Sequence, residues 1–291
     1  MHPEVQAFFD RATSTASYLV SDPATKTAAI IDPVLDYEPK SARLSTASAD
    51  QILTAVRDRG LDLKYVLETH AHADHLSAAD YIRKQTGSRI AIGARIVEVQ
   101  KTFIPVFEAD DVADDGQAFD HLLNEGDELQ LGEIAIGVLH TPGHTPADVT
   151  YLIGDAAFVG DTLFMPDYGT ARADFPGGDA RLLYRSIRKV LGLPPRTRLF
   201  VGHDYLPAGR ETFRWESTVA EQREQNIHMR EGVTEEAFVA MREARDATLA
   251  APTLILPSLQ VNIRAGALPE ASKSGRVFLK IPITQRDEPK S

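Results

Sequence analysis

The segment at residues 70–75 has the sequence HAHADH and offers four potential metal ligands within six residues. Imidazole nitrogens and carboxylate oxygens bind zinc and iron, and the two small alanines between them leave room for an ion. A single histidine is more often an ordinary core or surface residue than a ligand. Four ligands at this spacing reverse that expectation and predict a metal centre. The candidate ligands in this segment are His70, His72, Asp74 and His75.

Three further candidate ligands follow later in the chain, each next to an apolar segment that is typical of a strand. They are His144 in HTPGHT, Asp161 in FVGDTLF and His203 in VGHDY. Each has an ordinary alternative, since Asp161 could cap a helix or close a turn and His144 could belong to a loop. His140, at the end of the preceding strand, is a weaker candidate. The spacing alone does not decide between these roles.

The elements around these residues alternate between strands and helices. SYLVSD and KTAAIIDP predict an opening hairpin, LKYVLET predicts a buried strand that runs into residues 70–75, and RLFVGHD predicts a strand that ends at His203. This alternation favours stacked sheets with helices outside them. The charged tail after Ile283 is expected to be loose. Helices are predicted from about Leu76 to Gln85, from an N-cap at Asp179 to Gly192, from Pro207 to about Asn226, and from about Thr234 to Leu249.

The composition limits the class of protein. The chain has 291 residues, 43% hydrophobic and 25% charged, which predicts one large layered domain or a domain with an appendage. It has no cysteine, which excludes disulfides, thiolate metal ligands and cysteine nucleophiles. The net charge of −11 argues against nucleic acid as a partner, because phosphate binding needs a basic surface. No stretch approaches the roughly 18 apolar residues of a membrane helix, and the first residues lack a signal-peptide pattern, so we expect a cytoplasmic protein without a membrane partner.

Taken in order, the HxHxDH segment, His144, Asp161 and His203 resemble the ligand pattern of the metallo-β-lactamase superfamily. The resemblance implies an α/β fold, the αββα sandwich, with metal at one edge of the two sheets. Composition and periodicity alone predict only a layered α/β protein. From the resemblance we expect residues 1–206 to form a metallo-β-lactamase-like catalytic core. Residues 207–291 are expected to form a helical C-terminal extension that completes the domain.

Hydrolytic members of this superfamily, of the glyoxalase II type, suggest one set of roles for the ligands. There the resemblance implies two metal ions, zinc or iron, which activate water for attack on a thioester. The first two histidines of the HxHxDH segment and His144 would hold one ion. Asp74, His75 and His203 would hold the other ion, and Asp161 would bridge the two.

The persulfide dioxygenase branch of the superfamily suggests a different centre. There the resemblance implies one Fe(II) per chain, held by His70, His144 and Asp161, with positions left open for O₂ and substrate. The other ligand candidates would then be neighbours of the iron. Residues 169–178, GTARADFPGG, resemble this branch, whereas glyoxalase II members have a Gly-Cys-Gly-Arg type of segment there. This match favours oxidation of glutathione persulfide by O₂ to sulfite and glutathione, with thioester hydrolysis as the alternative.

Five further residues are expected to contact the substrate or assist the reaction. Arg172 would bind a carboxylate of a glutathione-like substrate or form a structural ion pair with Asp174. Tyr205 would point its phenol toward the open metal positions or pack in the core. Asn262 and Arg264 lie in PSLQVNIRAG, which resembles the end of the dioxygenase chain.

The absence of cysteine also bears on the substrate. Relatives in the dioxygenase branch often carry cysteine where Ala173 stands, which puts any role for that side chain in doubt. Without a thiol of its own, the protein must receive persulfide on a small carrier. The sequence leaves the oligomeric state open, and a homodimer is compatible with it. A metal-binding regulatory protein is a third class, but such a relative would normally have lost ligands that this chain retains.

Overall fold

The computed structural model describes residues 2–283, so the tail predicted after Ile283 lies outside the described residues. Over this range the chain forms two six-stranded sheets, a small third sheet and seven helices, none of them long and apolar enough to cross a membrane. The strands are β1 (Glu4–Asp10), β2 (Thr15–Ser21), β3 (Thr27–Ile31), β4 (Val34–Glu38), β5 (Arg43–Ser45), β6 (Asp62–Leu67), β7 (Leu76–Ser77), β8 (Arg89–Gly93), β9 (His121–Leu123), β10 (Glu128–Leu131), β11 (Ile134–His140), β12 (Val149–Ile153), β13 (Ala156–Phe158), β14 (Arg198–Phe200) and β15 (Glu216–Thr218). The helices are α1 (Ala47–Asp58), α2 (Ala79–Thr86), α3 (Ile96–Phe107), α4 (Ala180–Leu191), α5 (Val219–Gln225), α6 (Glu235–Asp246) and α7 (Ile255–Asn262).

The two large sheets differ in how their strands are connected. Sheet 1 has the order β1-β2-β3-β6-β8-β9, in which β1 to β3 are antiparallel and β3, β6, β8 and β9 are parallel neighbours. Parallel neighbours need a crossover, and α1, α2 and α3 supply these connections. Sheet 2 has the order β10-β11-β12-β13-β14-β15, in which only β13 and β14 are parallel, and α4 connects them. The third sheet has the order β5-β4-β7.

The alternation of side chains along the strands builds three apolar layers. In β3, Ala29 and Ile31 pack between the two sheets, whereas Ala28 and Ile30 pack against the helices outside sheet 1. Phe158 of β13 likewise packs between the sheets, while its neighbour Ala157 faces α4 and the C-terminal helices. Each sheet therefore has one face on the other sheet and one face on helices. The predicted αββα sandwich with C-terminal helices is confirmed.

The helix predicted from Leu76 begins three residues later than expected. Leu76 and Ser77 pair with β4 as strand β7, and the Ser77 hydroxyl accepts a hydrogen bond from the Ala79 N–H at 3.0 Å. Pairing with a distant strand outweighs the local helical pattern here. The N-cap predicted at Asp179 is confirmed, because its carboxylate accepts a hydrogen bond from the Leu182 N–H at 2.8 Å.

The continuous helix predicted from Pro207 to about Asn226 is wrong. The chain is irregular up to residue 215, then forms β15, and only α5 is helical. Strand β15 pairs with β14, so its backbone hydrogen bonds go to sheet 2 instead of a helix. Through this pairing, residues beyond 206 form part of sheet 2. The predicted division of the chain into a core and an extension at residue 206 stays a prediction.

One edge of the sandwich carries the strand ends that precede the candidate ligands. Strands β13 and β14 run in parallel, so the segments leading to Asp161 and His203 leave sheet 2 on the same side. The two loops approach closely: a Cβ atom added at Gly202 would lie 2.7 Å from Asp161 Oδ1, so glycine is required there. In sheet 1, β3 and β6 end in register, which places Asp32 beside the start of the HxHxDH loop.

Candidate metal centre

A first cluster of candidate ligands brings together His70, His144 and Asp161. One ligand atom from each of these buried side chains lies within 4.8 Å of the ligand atoms of the other two. His144 Nε2 is 3.7 Å from Asp161 Oδ2, and the rings of His70 and His144 stand nearly perpendicular with their centroids 5.1 Å apart. Loops from both sheets meet here, so the fold joins residues that are distant in sequence.

Hydrogen bonds fix the orientation of His70. The Thr69 hydroxyl donates to Asp32 Oδ2 at 2.8 Å, so its oxygen accepts from Nδ1 of His70 at 3.0 Å. Nε2 is then the unprotonated nitrogen, and it is buried without a hydrogen-bond partner. Burial, together with the neighbouring imidazoles of His72 and His144, holds the pKa of His70 well below its ordinary value. A neutral imidazole with a free Nε2 is the form that binds a metal ion.

His144 is oriented in the same way by a different partner. Its Nδ1 lies 2.9 Å from the carbonyl oxygen of Arg172. Because a carbonyl oxygen only accepts hydrogen bonds, Nδ1 carries a proton, and Nε2 faces Asp161. The two imidazoles of the first cluster therefore both offer Nε2.

A second cluster, formed by His72, Asp74, His75 and His203, lies beside the first. Asp74 Oδ2 is 3.2 Å from both His75 Nδ1 and His203 Nε2, and His203 Nε2 is also 3.4 Å from Asp161 Oδ1. Burial opposes ionisation of Asp74, but the imidazoles of His203 and His75 outweigh it and hold the pKa well below its ordinary value. Burial also disfavours a charged His203, yet the carboxylates of Asp161 and Asp74 raise its pKa. Asp74 and His203 therefore each favour the charged form of the other.

Two carboxylates that were not among the predicted site residues, Asp32 and Glu68, contact His72. His72 Nε2 is 3.1 Å from Asp32 Oδ1 and 3.4 Å from Glu68 Oε2, and all three side chains are buried. Burial opposes protonation of His72, but the two carboxylates raise its pKa well above the ordinary value. Nδ1 of His72 remains without a partner on the other side of the ring. The available signal was position, since Asp32 and Glu68 each follow the end of a strand of sheet 1.

A cavity of about 660 Å³ opens onto both clusters. Asp74, His144 and Asp161 reach its wall, so an ion bound there would be accessible to a small molecule. Tyr205 lies at this wall with its ring stacked on His203, at a centroid distance of 5.5 Å, and its side chain is 41% exposed. The rest of the wall is mixed: it includes the aromatic Tyr37, Phe164 and Tyr168, the basic Lys40, Arg172, Arg242 and Arg245, the acidic Glu38, and several aliphatic residues.

Arg172 forms an ion pair with Asp174, which was one of its two predicted roles. Its Nε and Nη2 donate to the two carboxylate oxygens of Asp174 at 2.5 and 2.6 Å, and its Nη1 donates to the Ala250 carbonyl at 2.7 Å. This pairing lowers the pKa of Asp174 and raises that of Arg172. Arg172 still lines the cavity, so a contact with substrate stays a prediction.

Asn262 and Arg264 have contacts other than the predicted substrate contacts. The buried Asn262 amide donates to the carbonyl oxygens of His72 and His75 at 2.8 and 2.9 Å, and accepts from the Ser77 N–H at 2.8 Å. Arg264 donates to both carboxylate oxygens of Asp111 at 2.8 and 2.5 Å. Neither side chain lines the cavity at the clusters, because α7 packs against the back of the HxHxDH loop. Asn262 supports the ligand loop, and Arg264 anchors the acidic loop near Asp111.

Comparisons with known proteins place the chain among metal-dependent enzymes. Residues 10–203 match the family model described as the metallo-beta-lactamase superfamily. A probable metallo-hydrolase of Burkholderia pseudomallei is 57% identical over 96% of this chain and 98% of that protein. Glyoxylase B2 of Dictyostelium discoideum is 43% identical over 96% of this chain and 97% of that protein. The human mitochondrial persulfide dioxygenase ETHE1 is 29% identical over 69% of this chain and 68% of that protein.

Among solved structures, ETHE1 from Myxococcus xanthus aligns with a TM-score of 0.73 and 31% sequence identity, over 91% of this chain and all of that one. The hydrolase and glyoxylase names thus occur at higher sequence identity than the dioxygenase name. The two histidine and carboxylate clusters are of the kind that holds one or two metal ions in such proteins.

Proposed function

The chain belongs to the metallo-β-lactamase superfamily as a metalloenzyme, and from this premise we propose that it is a persulfide dioxygenase with one Fe(II) held by His70, His144 and Asp161. The observation that carries the proposal is the composition of the first cluster. Two histidines and one carboxylate form the ligand set of non-haem iron oxygenases, and it leaves coordination positions open. The cavity at this cluster gives O₂ and a small thiol derivative access to those positions.

The donor atoms of the first cluster fit a metal ion. His70 Nε2 is buried without a hydrogen-bond partner, which costs free energy unless a bound group compensates it. Fe(II) bound there would supply the redox chemistry with O₂. The overall reaction converts the persulfide RSSH, O₂ and water into the thiol RSH, sulfite and two protons. The outer sulfur is oxidised, O₂ is reduced, and the sulfur–sulfur bond breaks.

The residues of this chain would bind and orient the substrate. The chain has no cysteine that could carry the persulfide itself, and glutathione persulfide is the carrier we propose. The aromatic wall can pack its apolar parts, and the exposed Lys40 and Arg245 at the wall can bind its carboxylates. Tyr205 can donate a hydrogen bond to a sulfur or oxygen atom near Asp161. Asp74 and His203 would lie beside the iron as neighbours, with His203 Nε2 3.2 Å from Asp74 Oδ2 and 3.4 Å from Asp161 Oδ1.

A binuclear thioester hydrolase is the second candidate, and two observations favour it. The second cluster offers four more ligand atoms within 4.8 Å of one another, which would suit a second ion. The relatives of higher sequence identity also carry hydrolase or glyoxylase names. With two ions the site would supply an activated water for attack on a thioester.

Metal analysis combined with two substrates separates the candidates. The protein is purified, loaded anaerobically with Fe(II), and assayed for O₂ uptake and sulfite release with glutathione persulfide, and for hydrolysis of S-lactoylglutathione. We expect one iron per chain and O₂ uptake. His144→Ala and Asp161→Ala should lose both bound iron and O₂ uptake, whereas His140→Ala, outside both clusters, should keep them. Two metals per chain with thioester hydrolysis and no O₂ uptake would establish the second candidate instead.

A further inference from the structure

We propose that Arg242 and Asp246 of helix α6 are positioning residues for His144, which they hold through the backbone of residues 170–173. The inference rests on the proposed metal centre for the role of His144. It applies to a site with one ion or with two, because His144 is a candidate ligand in both. It also assigns two residues of the C-terminal extension a supporting role at the proposed metal centre.

The connection begins at the imidazole. The carbonyl oxygen of Arg172 accepts the hydrogen bond from His144 Nδ1 at 2.9 Å, and this bond selects the tautomer that presents Nε2. His144 and Arg172 both lie on loops, so the position of this carbonyl depends on what holds residues 170–173. A shift of that backbone would break the hydrogen bond from His144 Nδ1, and the ring could then rotate or change tautomer.

Helix α6 holds the backbone on both sides of Arg172. Arg242 Nη1 donates to the Thr170 carbonyl oxygen at 3.2 Å, and Asp246 Oδ2 accepts from the Ala173 N–H at 2.8 Å. The two side chains also bind each other, with Arg242 Nη2 2.6 Å and Nε 2.9 Å from Asp246 Oδ1. Each therefore fixes the geometry of the other, and together they span the residues that carry the Arg172 carbonyl.

The burial of the Arg242–Asp246 ion pair supports a role in holding the backbone of residues 170–173. Arg242 is 1% exposed and Asp246 is 6% exposed. Transferring such a pair out of water is costly unless further hydrogen bonds satisfy it, and apolar residues of similar size often stabilise a fold equally well. Here the further hydrogen bonds go to the 170–173 backbone. A pair that only fastened α6 could lie on the surface, as the pairs of Glu235 with Arg181 and Arg185 do.

The first test measures the tautomer of His144 in metal-free protein by ¹H–¹⁵N NMR of ¹⁵N-labelled histidine side chains. Wild-type protein should show His144 with the proton on Nδ1. Asp246→Ala removes the acceptor of the Ala173 N–H, and Arg242→Lys keeps the charge but cannot form the same set of hydrogen bonds. Both variants should show a mixture of tautomers. If both fold and keep the wild-type signal, the proposal is overturned, and if Asp246→Ala does not fold, Arg242→Lys decides.

The second test measures Zn²⁺ affinity by competition with a chelator. Both variants should bind about 10-fold more weakly, the lower end of the loss seen when a residue supporting a ligand is removed. Glu235→Gln is the matched control, because it breaks the exposed ion pairs of the same helix and should leave affinity unchanged. An equal loss in Glu235→Gln would overturn the proposal, since general stability of α6 would explain it.

A His144→Ala variant distinguishes failure of this inference from failure of the proposed centre. Unchanged Zn²⁺ affinity in that variant would remove His144 from the centre, and the tautomer measurement, made without metal, would still decide whether α6 positions the ring. Weaker binding in His144→Ala with wild-type affinity in both α6 variants would overturn the positioning role alone.

Discussion

Replacing Asn262 with alanine should lower the free energy of unfolding by about 3 kcal/mol. The Asn262 amide is 4% exposed and makes three hydrogen bonds of 2.8 to 2.9 Å to the backbone of the HxHxDH loop and Ser77. A hydrogen bond contributes on the order of 1 kcal/mol net. Alanine would leave two carbonyl oxygens and one N–H buried without partners, so the full three-bond loss is expected.

Urea unfolding of the metal-free protein, followed by the fluorescence of Trp215, the single tryptophan, measures this loss. With a slope of roughly 3 kcal/mol per molar urea, the midpoint should fall by about 1 M. Asn124→Ala is the matched control, because Asn124 lies in an exposed turn and its side chain makes only a long contact to Asp127. The control should unfold within about 0.5 kcal/mol of wild type.

A second variant, Asn262→Asp, tests whether the amide donor of Asn262 is required. It preserves shape but replaces the donor with an oxygen that faces the carbonyl oxygens of His72 and His75. We expect a loss at pH 7 at least as large as that of alanine, together with weaker Zn²⁺ binding because the ligand loop is no longer fixed. Unfolding midpoints equal to wild type in both variants would refute the reasoning that α7 supports the loop through this amide.

Three other outcomes follow from single residues. Burial raises the pKa of Asp148 from 3.8 to about 6, so the folded state binds a proton more tightly than the unfolded state. The contribution of the protonated Asp148 carboxyl to the free energy of unfolding is therefore greatest below about pH 4, and it is lost as the pH rises through about 6. The free energy of unfolding of Asp148→Asn minus that of wild type, measured by urea unfolding, should therefore rise by roughly 2 kcal/mol between pH 4.5 and 7. A difference that does not change with pH would contradict this. Tyr205→Phe keeps the ring on His203 but removes the hydroxyl from the cavity. It should lower kcat/KM for O₂ uptake about 10-fold with an unchanged unfolding midpoint, and full activity would exclude the hydroxyl from the reaction. Asp179→Ala removes the cap of α4 and should lower the free energy of unfolding by about 1 kcal/mol, whereas Asp179→Ser should restore most of it.

The local features of the molecule were predictable from the sequence. The HAHADH segment keeps its ligands within six residues, so their proximity needs no tertiary information. The apolar runs that end at Asp161 and His203, and the N-cap at Asp179, also depend on neighbouring residues only. The alternation of strands and helices predicted a layered α/β protein, and the αββα sandwich was expected from the resemblance to the metallo-β-lactamase superfamily. The proximity of the ligands in residues 70–75 and the N-cap at Asp179 are determined by contacts within a few residues.

Other predictions failed where pairing with distant strands competed with a local pattern. Leu76 and Ser77 have a helical pattern, but β4 offers them backbone partners. The segment after Pro207 was predicted as helix, but part of it pairs with β14 as strand β15. Backbone hydrogen bonds across a sheet satisfy the same donors and acceptors as a helix does, so the tertiary partner decides between them.

The sequence by itself determined which side chains could bind a metal ion and in what order they occur. Only the tertiary structure decided how they are grouped and what supports them. Asp32 and Glu68 hold His72 because two parallel strands end side by side. Asn262 contacts the backbone of His72 from 190 residues away, since the packing of α7 brings it there. Such contacts depend on how whole layers pack against one another, and no short stretch of sequence contains that information.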